Sequence, residues 1–538
     1  MKKLLILIFV SFQFASIGQD LKEAVQPLSE KAVKGFLYDV SKDDQGNLNA
    51  TYKFKVNKKS DEVSFEAYSF GSDLKFIGTS VAQEKKEQHK DYERTAFYAS
   101  VGGSNSFDVL SMKLKMTKVV SIRTWNHEKQ QWSVKKVISR ETVKAKNDQG
   151  VVYYGYASYS SSDDIKSDLF VIGKVESKDK NQNDKFYVLQ MNDQLNLIEK
   201  EIDLKESCSL VYCGQLNNDH VVMIFAPMKG SSDISKYKYF EYDISGNLIN
   251  QTEFISPASA LLVTASVEDN GSVYFFGTST KYPDPFERIF SEYAPIFNPG
   301  FTQANNKVDM KWVKSAEQKM ENFHLLKFTG NKLMFSSTTP VSEFKSKFVT
   351  APGDKGATPY NGSKFSIEQF SVTPAGDYLI AGQLSGSVNL GLGNPQKTYE
   401  DIVCFHLDPM GKLKAQYGIG KVNNDKKSEI FSMLQRFYPS ADGKKIYWEL
   451  FEVKGVKGYE SFLDAYEGNA TFYPLFFPRM VSIDLSTTKL GAVQALGQNK
   501  YFLRRDFTSL YSKEERSVTY IGHDEDYKKL WIGKLLIP

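Results

Sequence analysis

Cysteine is scarce in this chain of 538 residues: Cys208, Cys213 and Cys404 are too few for a disulfide framework. Cys208 and Cys213 lie five positions apart, so on one strand they would face opposite ways and could be bridged only across a bent backbone. Burial as small hydrophobes is the expected state of these thiols. The six histidines, His89, His127, His220, His324, His406 and His523, stand singly, and no pair has the i, i+4 or His-X-His spacing that sets two ligands on one zinc. His406 sits in an alternating stretch and reads as a surface or cross-strand residue. After the N-terminus no apolar run approaches the roughly 20 residues of a membrane helix. With 68 basic against 64 acidic residues and no block of one sign, nothing concentrates charge for nucleic acid or an anionic membrane.

Catalytic motifs are missing too. There is no Gly-X-Ser-X-Gly elbow, and Ser158 to Ser162 lack a neighbouring base. Gly391-Leu-Gly393 never reaches the third glycine of a dinucleotide loop, and Pro395 obstructs the helix that loop requires. Asp179, Asn181 and Asn183 begin like an EF-hand, but Asp184 stands where its glycine belongs and Gln190 where its closing glutamate belongs, so a polar hairpin turn is expected. Asp243, Asp408, Asp442 and Asp484 read as turn residues in the same way. No catalytic residue, metal ligand or cofactor is assigned. A carboxylate pair assembled in space for glycoside chemistry stays open, and the five tryptophans suggest no sugar-stacking surface, although tyrosine can take that role.

What is present starts with an export signal over 1–18: Lys2 and Lys3, the apolar stretch from Leu4 to Ala15, then Ser16-Ile17-Gly18 with small residues at minus three and minus one. Cleavage after Gly18 would leave Gln19-Asp20 at the new N-terminus, a start that resembles exported proteins of Gram-negative bacteria with type IX secretion. The expected location is the periplasm, or outside the cell. Residues 19–34 follow as an arm, helical where Leu21, Ala24, Val25, Leu28, Ala32 and Val33 recur at helical spacing.

From 35 to 538 the chain alternates two signatures. One is an apolar strand ending in glycine, as in Val273-Tyr-Phe-Phe-Gly277, Tyr378-Leu-Ile-Ala-Gly382 and Val518-Thr-Tyr-Ile-Gly522. The other is a strand, a polar turn and a strand, as in Tyr237 to Leu248 and Ile402 to Leu413. The first suits a strand buried on both faces, its glycine admitting a bulge or a close backbone approach; the second suits an outer hairpin. Degenerate repetition of such a four-stranded unit resembles β-propellers, which implies an all-β fold of about seven blades, with six to eight possible. Units are expected near 95–140, 150–203, 208–255, 260–322, 323–360, 365–418, 430–495 and 506–538. The last lacks a strand, which an N-terminal segment, 35–40 or 49–54, would supply, pairing the two ends of the chain. Two tandem β-sandwiches are the alternative fold, and no linker supports them.

Two aromatic, proline-rich insertions, near 281–322 and 455–480, stand out. Tyr282, Phe286, Phe290, Tyr293, Phe297, Phe301, Phe472, Tyr473, Phe476 and Phe477 would either present a partner-binding surface or fold back as a cap. Together with the signal resemblance, this leads to the expectation of a non-enzymatic periplasmic propeller that binds a protein partner, such as an outer-membrane barrel complex, as a type IX plug-like subunit would. The alternative is a propeller enzyme or glycan-binding protein with its site in the central channel.

Overall fold

The computed structural model describes residues 21–538 except 44, 56–61, 86–91, 103–112, 127–130, 145–149, 161–164, 176, 178–182, 192–196, 218–219, 229–230, 259, 281–318, 355, 389–395, 423–427, 458–472 and 504–508, and over most of 92–175 it describes backbone only. The expected signal segment 1–18 therefore lies outside the described residues. No described helix is long and apolar enough to cross a membrane.

The fold is all-β and propeller-like: the described residues form eight small antiparallel sheets, most of four strands consecutive in the chain. None of the described sheets closes on itself as a barrel. The chain divides into two compact units, Met1–Lys85 with Val349–Ala357 and Gly418–Pro538, and Lys86–Phe348 with Thr358–Tyr417.

The first unit holds three sheets. Phe36–Lys42, Leu48–Lys55, Glu62–Phe70 and Phe76–Lys85 form one meander, and Gln435–Pro439, Lys445–Lys457, Tyr473–Asp484 and Gln494–Ala495 form another. The third joins Tyr501–Leu503, Ser509–Ser512, Ser517–Asp524 and Lys529–Leu536 to the N-terminal strand Leu21–Pro27, paired antiparallel with the last strand from Leu21↔Leu535 to Pro27↔Lys529. The two ends of the chain thus share a sheet, but the donated strand is neither 35–40 nor 49–54. It comes from the segment expected as a helical arm, whose helix is confined to Glu30–Lys34 and is capped by the Ser29 hydroxyl, which accepts from the Ala32 N–H. Pro27 ends the strand, and pairing with the edge of the C-terminal sheet outweighs the weak helical pattern ahead of it.

The second unit carries the sheets of 92–144, 150–202, 208–255 and 262–340, and nearly all of 365–419. The units expected at 260–322 and 323–360 are one sheet, because 281–318 interrupts it between its second and third strands, Ser272–Thr280 and Met320–Thr329, which pair directly. The sheet of 36–85 is an additional one.

The glycine-terminated strands meet the bulges they were expected to admit. Gly277 pairs Val263 where the register slips between Val263 and Ala265, and Gly382 pairs Ile367 where it slips between Ile367 and Gln369. A Cβ on Gly382 would lie 1.9 Å from the Ser366 carbonyl oxygen, so only glycine allows the bulged strand this close. The turn aspartates behave as read. Asp408 accepts from the N–H groups of Met410 and Lys412, Asp243 from that of Asn247 and Asp442 from that of Lys444. The backbone N–H of Thr487 does most to hold Asp484 down at about 2.

Candidate functional site

The aromatic residues singled out as a contact surface do not assemble into one among the described residues. Tyr282, Phe286, Phe290, Tyr293, Phe297, Phe301 and Phe472 lie outside them. Tyr473 opens a strand opposite Lys457. Phe476 is half-buried against the cluster of Tyr438, Met480 and Trp531, and Phe477 is fully buried with Leu475 and Phe502, so these two side chains belong to packing.

Histidines and carboxylates instead build buried or half-buried nodes inside single units. His406 is fully buried; its Nδ1 lies 2.9 Å from the Tyr417 hydroxyl and its Nε2 2.8 Å from Asp377, which also takes Lys414 Nζ at 2.7 Å. His406 is cross-strand, opposite Leu379, but it is not a surface residue: Asp377 satisfies it where the alternation of the strand suggested solvent. Burial pushes its pKa down, and Asp377 only partly restores it. In the 208–255 sheet the chemistry is reversed: Glu241 stands on the third strand and accepts from Tyr239, His220 and Asn250. Burial alone would raise Glu241, yet those bonds leave it lowered. His324 bridges the hydroxyls of Ser279, at 2.8 Å, and Thr338, at 3.0 Å. That contact has the spacing of a nucleophile and its base, but burial holds His324 down at about 4, too weak a base to activate a hydroxyl at neutral pH.

In the first unit, Glu452 is fully buried, pairs with Arg479 and accepts from the Val422 N–H, while Arg479 also donates to the Gly420 carbonyl at 3.0 Å. The three cysteines are free and buried, as expected, and burial lifts the Cys208 thiol to about 12. Asp184, at the glycine position of the EF-hand-like stretch, accepts from the Ser177 N–H and braces the loop.

The outer face of the 36–85 sheet is open, concave and mixed in chemistry. In the sheet of 36–85 strand alternation sends Leu37, Tyr52 and Tyr68 into a core shared with Ile521, Leu530 and Ile532 of the C-terminal sheet. The opposite face carries the cross-strand row Asp39, Thr51, Ala67 and Ser80, and beside it Lys53, Phe65 and Ala82. Tyr38 is the extra residue of a β-bulge, where the register slips between Leu37 and Asp39. Its ring lies on that face with Phe36, and the bulge brings Asp39 onto it as well; the ring is 50% exposed, with centroids 5.4 Å from Phe65 at 61° and 6.2 Å from Phe36 at 74°. The Lys53 ammonium lies 4.9 Å from the Tyr38 centroid and 5.3 Å from that of Phe65. Tyr38, Asp39, Thr51, Phe65, Ala67, Ser80 and Ala82 line a cavity of about 340 Å³, floored by alanine and rimmed by two rings, two hydroxyls and a carboxylate. Sequence reasoning missed it. Its legible signal was the alternation Phe36, Tyr38 with Lys53 and Phe65, which the bulge obscures.

No family model and no curated protein matches the chain. Solved structures to which it is similar include a Synechocystis apocarotenoid oxygenase variant, at 8% identity and TM-score 0.28, covering 86% of this chain and 92% of that one. A cobalt-substituted Synechocystis ACO gives 9% and 0.28, covering 89% and 93%, and a lignostilbene dioxygenase from Pseudomonas brassicacearum gives 9% and 0.34, covering 83% and 89%. These proteins are oxygenases, and none is a secretion component. The expectation of a non-enzymatic scaffold of type IX secretion, with its transport role, finds no support in any comparison and is withdrawn. The likenesses are too slight to bring oxygenase chemistry to this chain. Among the described residues no group of three or more His, Cys, Asp or Glu side chains is placed to hold a metal ion, and the four described histidines are each engaged in separate local contacts.

Proposed function

We propose that this protein binds a saccharide on the open face of the 36–85 sheet. The observation that carries the reading is the pair Tyr38 and Phe65 beside Asp39, Thr51 and Ser80 in one cavity of about 340 Å³. That volume lies in the range of small-ligand sites. A pyranose has an apolar C–H face and a rim of hydroxyls. The exposed Tyr38 ring, with Phe65 inclined to it at 61°, offers the first an apolar face, and the carboxylate and hydroxyls offer the second acceptors and donors. Ala67 and Ala82 keep the floor low enough for a ring to lie between them and the aromatic wall. The reading retains the glycan-binding alternative raised from the sequence, but places the site on a sheet face and not in a channel.

The test is a glycan array probed with the folded protein and with Tyr38→Ala. Binding to a defined set of glycans that Tyr38→Ala abolishes supports the site. An array blank for the wild type, or one unchanged in the variant, rejects it.

A further inference from the structure

Among the aspartates described in the 36–85 sheet, Asp39 stands apart. Asp43 accepts from the backbone N–H groups of Gln45 and Asn47, and Asp73 accepts from that of Lys75 and pairs with its ammonium, as turn aspartates do. Asp39 lies within a strand and lines the cavity, and among the described residues its carboxylate has no hydrogen-bond or ion-pair partner. The side chains of Thr51 and Ser80, on the same wall, have none either. Whatever fills the cavity has to satisfy these groups, and water does so while it is empty of ligand.

The register says what fits. Asp39 stands directly opposite Thr51, and such side chains begin about 4.5–5.5 Å apart at Cβ, so carboxylate and hydroxyl address one ligand group together. Ser80 lies two strands beyond Thr51, at about 4.8 Å per strand, and meets a different part of the ligand. A carboxylate only accepts, through two oxygens side by side. Its match on a sugar is a pair of adjacent hydroxyls, each donating to one oxygen, and such charge-assisted bonds are roughly twice as strong as neutral ones. The cation of the neighbouring row, Lys53, holds its ammonium at the Tyr38 and Phe65 rings and makes no ion pair with Asp39. An anionic sugar drawn to Lys53 would bring like charge toward Asp39.

We propose that Asp39 is the specificity-determining residue of this face and accepts from two adjacent hydroxyls of a neutral saccharide. The inference rests on the saccharide reading of the same cavity and names the class of sugar it takes: one with a free vicinal diol at the edge that meets Asp39, its apolar face on Tyr38. A sugar alkylated or oxidised to a carboxylate at that edge is a poor ligand, because Asp39 then faces no donor or a like charge.

The experiment is calorimetric titration of wild type, Asp39→Asn and Tyr38→Ala with a glycan selected on the array and with its monodeoxy derivatives. Asparagine keeps the shape and one acceptor but loses the charge. Asp39→Asn should weaken binding about tenfold. Removing either of two neighbouring hydroxyls should weaken the wild type about tenfold and Asp39→Asn distinctly less, the coupling expected of groups in contact. Binding that Asp39→Asn leaves unchanged or tightens, or deoxy effects equal in both proteins, overturns the role of Asp39, while the face itself stands if Tyr38→Ala still weakens binding. Absence of any glycan ligand, or binding untouched by Tyr38→Ala, removes the face and the assignment with it. Where Asp39→Asn does not fold, the wild-type deoxy series decides: no adjacent pair of contributing hydroxyls overturns the proposal.

Discussion

Gly382→Ala tests whether the glycine that closes an apolar strand is a geometric requirement of the bulged sheet. The added Cβ would sit 1.9 Å from the Ser366 carbonyl oxygen and 2.9 Å from Phe365 Cε2. The ring can swing aside; the carbonyl cannot, because it belongs to the paired strand Phe365–Val372. Relief requires that strand to move by more than 1 Å at the bulge, next to Ile380 and Phe405, both fully buried. Overpacking a core costs about 1–3 kcal/mol where side chains can adjust. With a fixed backbone oxygen as the obstacle, about 3 kcal/mol or more is expected. Gly78→Ala is the control, since nothing lies within 4 Å of its Cβ, and its effect should stay within about 0.5 kcal/mol. Urea denaturation followed by fluorescence compares the midpoints, read on the transition of the second unit if the two units unfold separately. A Gly382→Ala midpoint indistinguishable from that of Gly78→Ala would refute the reasoning, because the bulge would then not depend on glycine.

Three further outcomes are expected. Arg479→Met strands the fully buried Glu452 without its cation and should cost about 3–5 kcal/mol, while adding Glu452→Leu should recover much of the loss; both are read by the same denaturation assay. Cys208, Cys213 and Cys404 should resist a thiol reagent at pH 8 and all react once urea unfolds the chain, counted by intact mass. Phe477→Ala should destabilise by about 3–5 kcal/mol as a core truncation, in contrast to an exposed aromatic of a contact surface, whose loss would leave the denaturation midpoint in place.

The fold was legible where chemistry repeats locally. Glycine at the end of apolar strands and aspartate at the turns each have a short-range cause, and Gly382 and Asp408 bear them out. Pairings between distant segments were not legible. The strand Leu21–Pro27 carries apolar spacing close to a helix, and only the edge offered by Lys529–Leu536, some five hundred residues away in sequence, decides for strand. The insertion 281–318 also concealed that Ser272–Thr280 and Met320–Thr329 are neighbours, which split one sheet into two in the sequence reading.

The candidate site was hidden for a different reason. Aromatics in a proline-rich run attract notice, but Phe476 and Phe477 go to packing. Tyr38 looks ordinary because its alternation with Phe36 shows only an aromatic on one face; the bulge that brings Asp39 opposite Thr51, and so beside it, is not visible in the sequence. Buried nodes such as Glu449 with Tyr520 join residues 71 positions apart, and no motif announces them.

The central claim is that Tyr38 and Phe65 form a platform for a sugar ring, and calorimetric titration of a glycan selected on the array tests it most directly, comparing wild type with Tyr38→Ala and Phe65→Ala. Loss of either ring should weaken binding about tenfold, equivalent to about 1.4 kcal/mol of stacking and apolar contact, with folding preserved at the exposed Tyr38. Unchanged affinity in both folded variants would contradict the account and move any saccharide site off this face.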